Sequence, residues 1–199
     1  MFPKFVTSDT FWKYMIVNRS SYIDQLVRSK GNGLIKIITG LRRSGKSFLL
    51  KKLFRQHLLD EGVSEDHIII IDMESRKNKD FKNPDYLLDW VEKEMKDDVM
   101  YYIIIDEVQE VNDFVEVLST LAVTEGTDVY VTGSNSRFLS SDVVTEFRGR
   151  GDEIHVWPLS FGEFMSVYEG SKEDGLAEYL MFGGLPQLLT QVGEEKKAG

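Results

Sequence analysis

An α/β fold, a parallel sheet with helices on both faces, is what this sequence predicts, and three observations carry it. Five short apolar runs rich in Ile, Val and Tyr recur between residues 34 and 157. Stretches of helical period alternate with most of them, the pattern of strand–helix–strand crossovers. The first run ends in a glycine loop that opens a helix. From Pro158 on the period turns purely helical, so a small helical segment follows the sheet.

The elements follow in order. Ser20 to about Ser29 carries Tyr22, Ile23, Leu26 and Val27 at helical spacing behind a serine cap, and Gly31-Asn32-Gly33 breaks that helix. Leu34–Thr39 reads as the first strand. From Ser47 to about Leu59, Leu50, Leu53, Phe54 and Leu58 mark an amphipathic helix, closed by Asp60-Glu61-Gly62. His67–Asp72 is the second strand, its unbroken apolar run suited to a sheet covered twice. A charged loop from Glu74 to Lys82 leads to Asn83-Pro84, a helix start with proline at its first position, and Leu87, Trp90 and Val91 line one face of that helix. Tyr101–Asp106 is the third strand. Asp113 opens a helix with Phe114, Val117, Leu118 and Leu121 on one side. Asp128–Gly133 is the fourth strand, 140–147 a short helix, and Glu153–Trp157 the fifth strand, ended by Pro158. Ser160-Phe161-Gly162-Glu163 has the form of a capping box, and Ser171 caps a second helix that carries Leu176, Tyr179 and Leu180 and stops at Gly183-Gly184. The expected domains are 1–158 for the sheet and 159–199 for the helical segment.

Composition narrows the class. The 199 residues suit one α/β domain and part of a second, and a 42% hydrophobic share can fill a core. The chain has no Cys, which removes disulfides, thiol nucleophiles and thiolate metal sites. No apolar run nears the roughly 18 residues of a membrane span, and Met1-Phe2-Pro3-Lys4 lacks the apolar stretch of a signal peptide, so a cytoplasmic protein is expected. A formal net charge of −9 disfavours sequence-independent nucleic-acid binding by this segment. The tail from Gln191 to Gly199 does not resemble a packed terminus, and a further C-terminal domain is expected beyond it.

Gly40-Leu41-Arg42-Arg43-Ser44-Gly45-Lys46-Ser47, followed by Phe48, fits the phosphate-binding pattern G-x-x-x-x-G-K-[ST]. Backbone N–H groups of such a loop and of the helix start form a nest for anionic oxygens. Gly40 and Gly45 let the backbone curl round a phosphate. Lys46 supplies a point charge to the outer phosphates, and the Ser47 hydroxyl is a magnesium ligand. Arg42 and Arg43 sit inside the loop, where surface contacts are as good a reading as catalysis. The third strand ends in Asp106-Glu107, and ligands of open α/β sheets bind at the carboxyl ends of strands. Asp106 is placed as the second magnesium ligand and Glu107 as the group that polarises an attacking water. Ser134 and Asn135, after the fourth strand, are candidates to reach the γ-phosphate or the water. Arg150, ahead of Arg148, is the candidate arginine finger. The segment around Arg19 and Tyr22 is the candidate adenine contact. His57, His67 and His155 lack ligand spacing and read as structural, and Trp12, Trp90 and Trp157 as packing residues.

These motifs occur in order with Ile105-Asp106-Glu107-Val108-Gln109, Thr132-Gly133-Ser134, and Gly149-Arg150 followed by Trp157-Pro158-Leu159-Ser160-Phe161-Gly162-Glu163-Phe164. Together they resemble the bacterial and archaeal AAA-type ATPases that carry a C-terminal domain of unknown function, over about Arg19 to Pro186. The resemblance implies a P-loop ATPase fold with strand order 5-1-4-3-2, ATP and magnesium as ligands, and Tyr179–Pro186 as the lead into that further domain. By motif, Lys46 and Ser47 bind phosphate and magnesium, Asp106 binds magnesium and Glu107 is the base. The expected activity is hydrolysis of ATP to ADP and phosphate, coupled to movement of the helical segment and the C-terminal domain, with an arginine supplied by self-association or within the chain. Two other readings share the loop. One is a nucleotide-gated switch with little hydrolysis; the other is a small-molecule kinase, which the Glu after the magnesium Asp disfavours.

Overall fold

In the computed structural model, residues 16–133, 147 and 151–187 are described. They divide into two compact units: Ser20–Trp157, and a smaller one joining the residues before Ser20 to those from Pro158 on.

The larger unit opens with helix α1 (Ser20–Ser29) and strand β1 (Ile35–Thr39). Helix α2 follows in three stretches, Lys46–Phe48, a π-helical turn Leu49–Phe54, and Arg55–Asp60. Strand β2 (Ile68–Asp72), a 3₁₀ segment (Arg76–Lys82), helix α3 (Pro84–Glu94), strand β3 (Tyr101–Asp106), helix α4 (Phe114–Val123), strand β4 (Thr127–Thr132) and strand β5 (Gly151–His155) complete it. The order is β2-β3-β4-β1-β5, every pair parallel. This is the expected 5-1-4-3-2 order read from the other edge.

Strand periodicity of two splits the core into two layers. Ile35, Ile37, Ile69, Ile71, Ile103, Ile105, Val129 and Val131 face α3 and α4. Ile38, Ile68, Tyr102, Ile104 and Tyr130 face α1 and α2, against Leu26, Leu49, Leu50, Phe54 and Leu58. Each layer explains one set of helical apolar positions. Asn83 caps α3, its Oδ1 accepting from Tyr86 N at 3.0 Å, with Pro84 next. At the amino end of the sheet lies a buried polar knot. Lys36 of β1 is paired with Asp128 of β4, which also accepts from Tyr130 Oη at 2.8 Å and Gly31 N at 2.9 Å. That knot ties the turn before β1 to the sheet.

Several boundaries differ from the sequence reading. β5 runs Gly151–His155 rather than Glu153–Trp157, because Ile35 of β1 pairs with Gly151. His67 sits in a 3₁₀ turn before β2, its ring edge-on to Tyr101 at 4.7 Å. Trp90 packs against Phe81, as read, but Trp157 is 62% exposed and lies against His155 instead of filling the core. Asp113 precedes α4 without a side-chain cap, at φ 47°. Trp12 and residues 140–146 of the predicted helix 140–147 lie outside the described residues.

The smaller unit holds helices α5 (Phe161–Met165) and α6 (Lys172–Phe182). The predicted capping box is present: Ser160 Oγ accepts from Glu163 N at 3.2 Å, and Glu163 Oε2 accepts from Ser160 N at 2.8 Å. Ser171 caps α6 in the same way, Oγ to Asp174 N at 3.1 Å. Val17, Leu159 and Phe164 form its core, with Tyr179 Oη donating to Leu159 O at 2.7 Å. Arg19 Nε donates to Glu163 Oε1 at 3.1 Å.

Candidate functional site

The loop between β1 and α2 is held open by its backbone. Gly40, Arg43 and Gly45 have φ of 134°, 67° and 101°. Gly40 is required by space as well as conformation, since a Cβ there would meet Val156 O at 2.2 Å. The chain just after β5 therefore presses on the loop's first residue and fixes where the curl begins. Ser44 N donates to Leu41 O at 3.1 Å, closing the curl, and Leu49 N donates to Gly45 O at 2.8 Å, starting the helix. The N–H groups of a helix's first turn have no partners within the helix, so they point at whatever the loop encloses. Leu41, Arg42 and Arg43 stand exposed at the tip, Ser44 is buried, and Phe48 leans outward from α2.

Lys46 is the first residue of α2 and only 4% exposed. Its Nζ donates to Gly40 O and Leu41 O, both at 3.0 Å, so the ammonium lies across its own loop. Burial pulls its pKa below the ordinary lysine value, against the opposing pull of Glu107 and Asp106.

The acidic side of the site comes from strand parity. Asp72, Asp106 and Thr132 fall on the same sheet face as α2, at the carboxyl ends of three neighbouring strands. Asp72 and Asp106 are register partners. Asp106 is buried, and each of its oxygens is held. Oδ1 accepts from Ser47 Oγ at 2.8 Å and Thr132 Oγ1 at 2.6 Å, and Oδ2 takes Lys51 Nζ at 2.7 Å. Lys51 Nζ also donates to Asp72 Oδ2 at 2.8 Å. Partial burial depresses the Lys51 pKa, but the two carboxylates outweigh it and the net direction is upward. Glu107 leaves the strand at φ 57°. Its N–H donates to Thr132 Oγ1 at 2.9 Å, and its Oε2 accepts from Gln109 Nε2. Thr132 thus joins the backbone of Glu107 to the carboxylate of Asp106.

The structure brings Gly40–Phe48, Asp106 and Glu107 to one end of the sheet. It also supplies three groups that the sequence reading missed as site residues: Lys51, Asp72 and Thr132. Ser134, Asn135, Arg148 and Arg150 lie outside the described residues. Tyr22 Oη accepts from Trp157 N at 3.1 Å, while Arg19 is engaged by Glu163. His155 Nδ1 is 3.0 Å from Thr39 Oγ1, a local sheet contact.

The donor set fits a hard divalent ion bound with a nucleotide. Magnesium takes one or two protein oxygens and completes its octahedron with water and phosphate oxygens. Ser47 Oγ and Asp106 Oδ1, 2.8 Å apart, offer such a pair beside the loop. Among the described residues no group of three or more His, Cys, Asp or Glu could form an all-protein cage.

Comparison with known proteins agrees with the geometry. A sequence profile described as AAA domain matches residues 32–165. An uncharacterized protein of Haemophilus influenzae is 32% identical over 180 residues, 87% of this chain and 45% of that protein. One of Methanocaldococcus jannaschii is 26% identical over 195 residues, 92% of this chain and 41% of that protein. The chain thus spans less than half the length of these relatives. The Saccharomyces cerevisiae Hsp104:casein complex superposes with a TM-score of 0.57 at 15% identity, covering 87% of this chain and 36% of that one. A DNA replication initiation factor gives 0.58 at 15%, covering 98% and 63%. At such identities the structures show a shared fold alone.

Proposed function

Because this chain belongs to the AAA domain family, we propose that its larger unit binds ATP with magnesium and hydrolyses it. The observation that carries the reading is the Ser47 Oγ–Asp106 Oδ1 contact of 2.8 Å, which joins the phosphate loop to the acidic strand end across 59 residues of sequence. Among the described residues no helix is long and apolar enough to cross a membrane, and we infer a cytoplasmic protein.

The residues divide the work. The loop amides and the start of α2 receive the phosphate oxygens. Lys46 exchanges its two carbonyl partners for β- and γ-phosphate oxygens and stabilises charge as it spreads over the γ-phosphoryl group. Ser47 and Asp106 would hold magnesium, which when bound would supply charge neutralisation to the phosphates. Glu107, kept in place through Thr132 and Gln109, accepts hydrogen bonding from the attacking water and orients it in line. Asn135 and Arg150 keep their proposed roles as a γ-phosphate or water contact and an arginine finger, in the same chain or from a second copy. The helical segment from residue 159 responds to nucleotide state and acts on a further C-terminal domain.

Two variants test this. Lys46→Ala should lose ATP binding, and Glu107→Gln should bind ATP while phosphate release falls by about 10²-fold or more. Unchanged turnover in Glu107→Gln removes the proposed base. Turnover per molecule that rises with protein concentration assigns the arginine to a second copy. A flat rate near zero favours the nucleotide-gated switch.

A further inference from the structure

Lys51 is a charged group in this site to which the hydrolytic reading gives no task. It lies one turn after Ser47, on the π-helical part of α2, and contacts two carboxylates at once. Asp72 and Asp106 end two adjacent parallel strands in register, and such a pair repels itself when both are ionised. It is also the arrangement that invites a divalent cation to bridge the two acids. Lys51 Nζ occupies that bridging position, 2.8 Å from Asp72 Oδ2 and 2.7 Å from Asp106 Oδ2. The opposite oxygen, Asp106 Oδ1, is the one that faces Ser47 and Thr132.

We propose that Lys51 is a positioning residue, a resident cation that keeps a divalent ion from bridging Asp72 and Asp106 and turns Asp106 Oδ1 toward the nucleotide side. With Lys51 in place, the acid pair and its ammonium carry one net negative charge. Without it they carry two, with Asp106 Oδ2 and Asp72 Oδ2 both open. Metal entry then depends on nucleotide, because the phosphates must supply the missing negative charge and ligands. The inference rests on the nucleotide–metal reading of this site, but its measurement needs no nucleotide.

The test is a Mn2+ titration of the 199-residue chain without nucleotide, followed by the loss of the free-ion electron paramagnetic resonance signal. The unaltered protein should show only weak binding. Lys51→Met should gain a site at least tenfold tighter, Lys51→Arg should remain like the parent, and adding Asp72→Asn to Lys51→Met should remove the gained site. Lys51→Gln, which keeps a hydrogen-bonding head without charge, should gain the site too and stands in if the methionine variant does not fold. Equal Mn2+ affinity in the parent, Lys51→Met and Lys51→Gln overturns the proposal, as does a gained site that survives Asp72→Asn. A gained site in a protein that binds no ATP would leave this inference standing and overturn the proposed function instead.

Discussion

Gly40→Ala puts a single methyl where the loop meets the neighbouring strand. Its Cβ would stand 2.2 Å from Val156 O, 3.1 Å from Val156 C and 3.3 Å from Ser44 Oγ. The first distance is roughly 1 Å inside any tolerable approach of a methyl to a carbonyl oxygen. Val156 cannot step back freely, since its N–H donates to Thr39 O at 2.9 Å, the last rung between β1 and the chain after β5. Giving up that rung costs about 1 kcal/mol. Holding a non-glycine residue at φ 134° costs a further 1–3 kcal/mol or so. The sum is about 2–4 kcal/mol, a large share of the roughly 5–15 kcal/mol that keeps a domain folded. Gly62→Ala is the control, because its φ is 90° and nothing lies within 4 Å of an added Cβ, so only conformational strain of about 1–2 kcal/mol applies. Urea unfolding of both variants, at a slope of about 2 kcal/mol per M, should move the Gly40→Ala midpoint down by about 1–2 M. Its ATP affinity should collapse while that of Gly62→Ala holds. Equal midpoints with ATP binding intact in both would show that Val156 does not set the loop.

Three further outcomes are expected. Lys36→Met strands the Asp128 carboxylate in the core and should cost about 3–5 kcal/mol by denaturation, with much of it recovered in Lys36→Met/Asp128→Leu, where no unpaired charge remains. Thr132→Val removes the hydroxyl shared by Asp106 and the Glu107 N–H and should cost about 1–3 kcal/mol, and lower phosphate release, with Thr132→Ser restoring both. Glu163 is desolvated, which raises its pKa, but Ser160 N–H and Arg19 outweigh this and hold it below the usual glutamate value. The folded state therefore binds that proton less readily than the unfolded chain, so its stabilisation is present above the ordinary value near 4.5 and is lost as pH falls through the folded value. Acid unfolding of the chain, followed by circular dichroism, should be shallower in Glu163→Gln; an unchanged acid limb would leave the Arg19 pair without weight.

The sheet was legible because five apolar runs leave few alternatives, and the strand order came with the family resemblance. The edges were not, because register decides them. Gly151 and Asp152 carry no apolar signal, yet β1 pairs with them. The π-helical turn Leu49–Phe54 has the same apolar spacing as an α-helix, and it is packing, not period, that widens it. Glu107 and Asp106 were legible as an acidic strand end. Lys51 was not singled out, since its partner Asp72 is 21 residues away and belongs to a strand rather than to its own helix. A signal was present all the same. Ile68–Asp72 and Tyr101–Asp106 both close on Ile-Ile-Ile-Asp, so parity puts both carboxylates on one face, and two neighbouring acids, one of them buried, call for a cation between them.

That requirement orders the whole site. A buried carboxylate is costly unless its oxygens are held, and Asp106 is held by Ser47 from the phosphate loop, Thr132 from β4 and Lys51 from α2. Its partners come from two elements, Ser47 and Lys51 from α2 and Thr132 from β4, so the carboxylate is fixed only when β3, β4 and α2 are all in place. Most of the reorganisation that a charged ligand would otherwise demand is completed on folding, which is the condition under which fixed dipoles lower a barrier. Lys46 is arranged differently. Its partners, Gly40 O and Leu41 O, are neutral carbonyls of the loop it serves, and phosphate oxygens are stronger acceptors for an ammonium than either. In the proposed function the acids are thus set by folding, and Lys46 is the group that would exchange partners when phosphate binds.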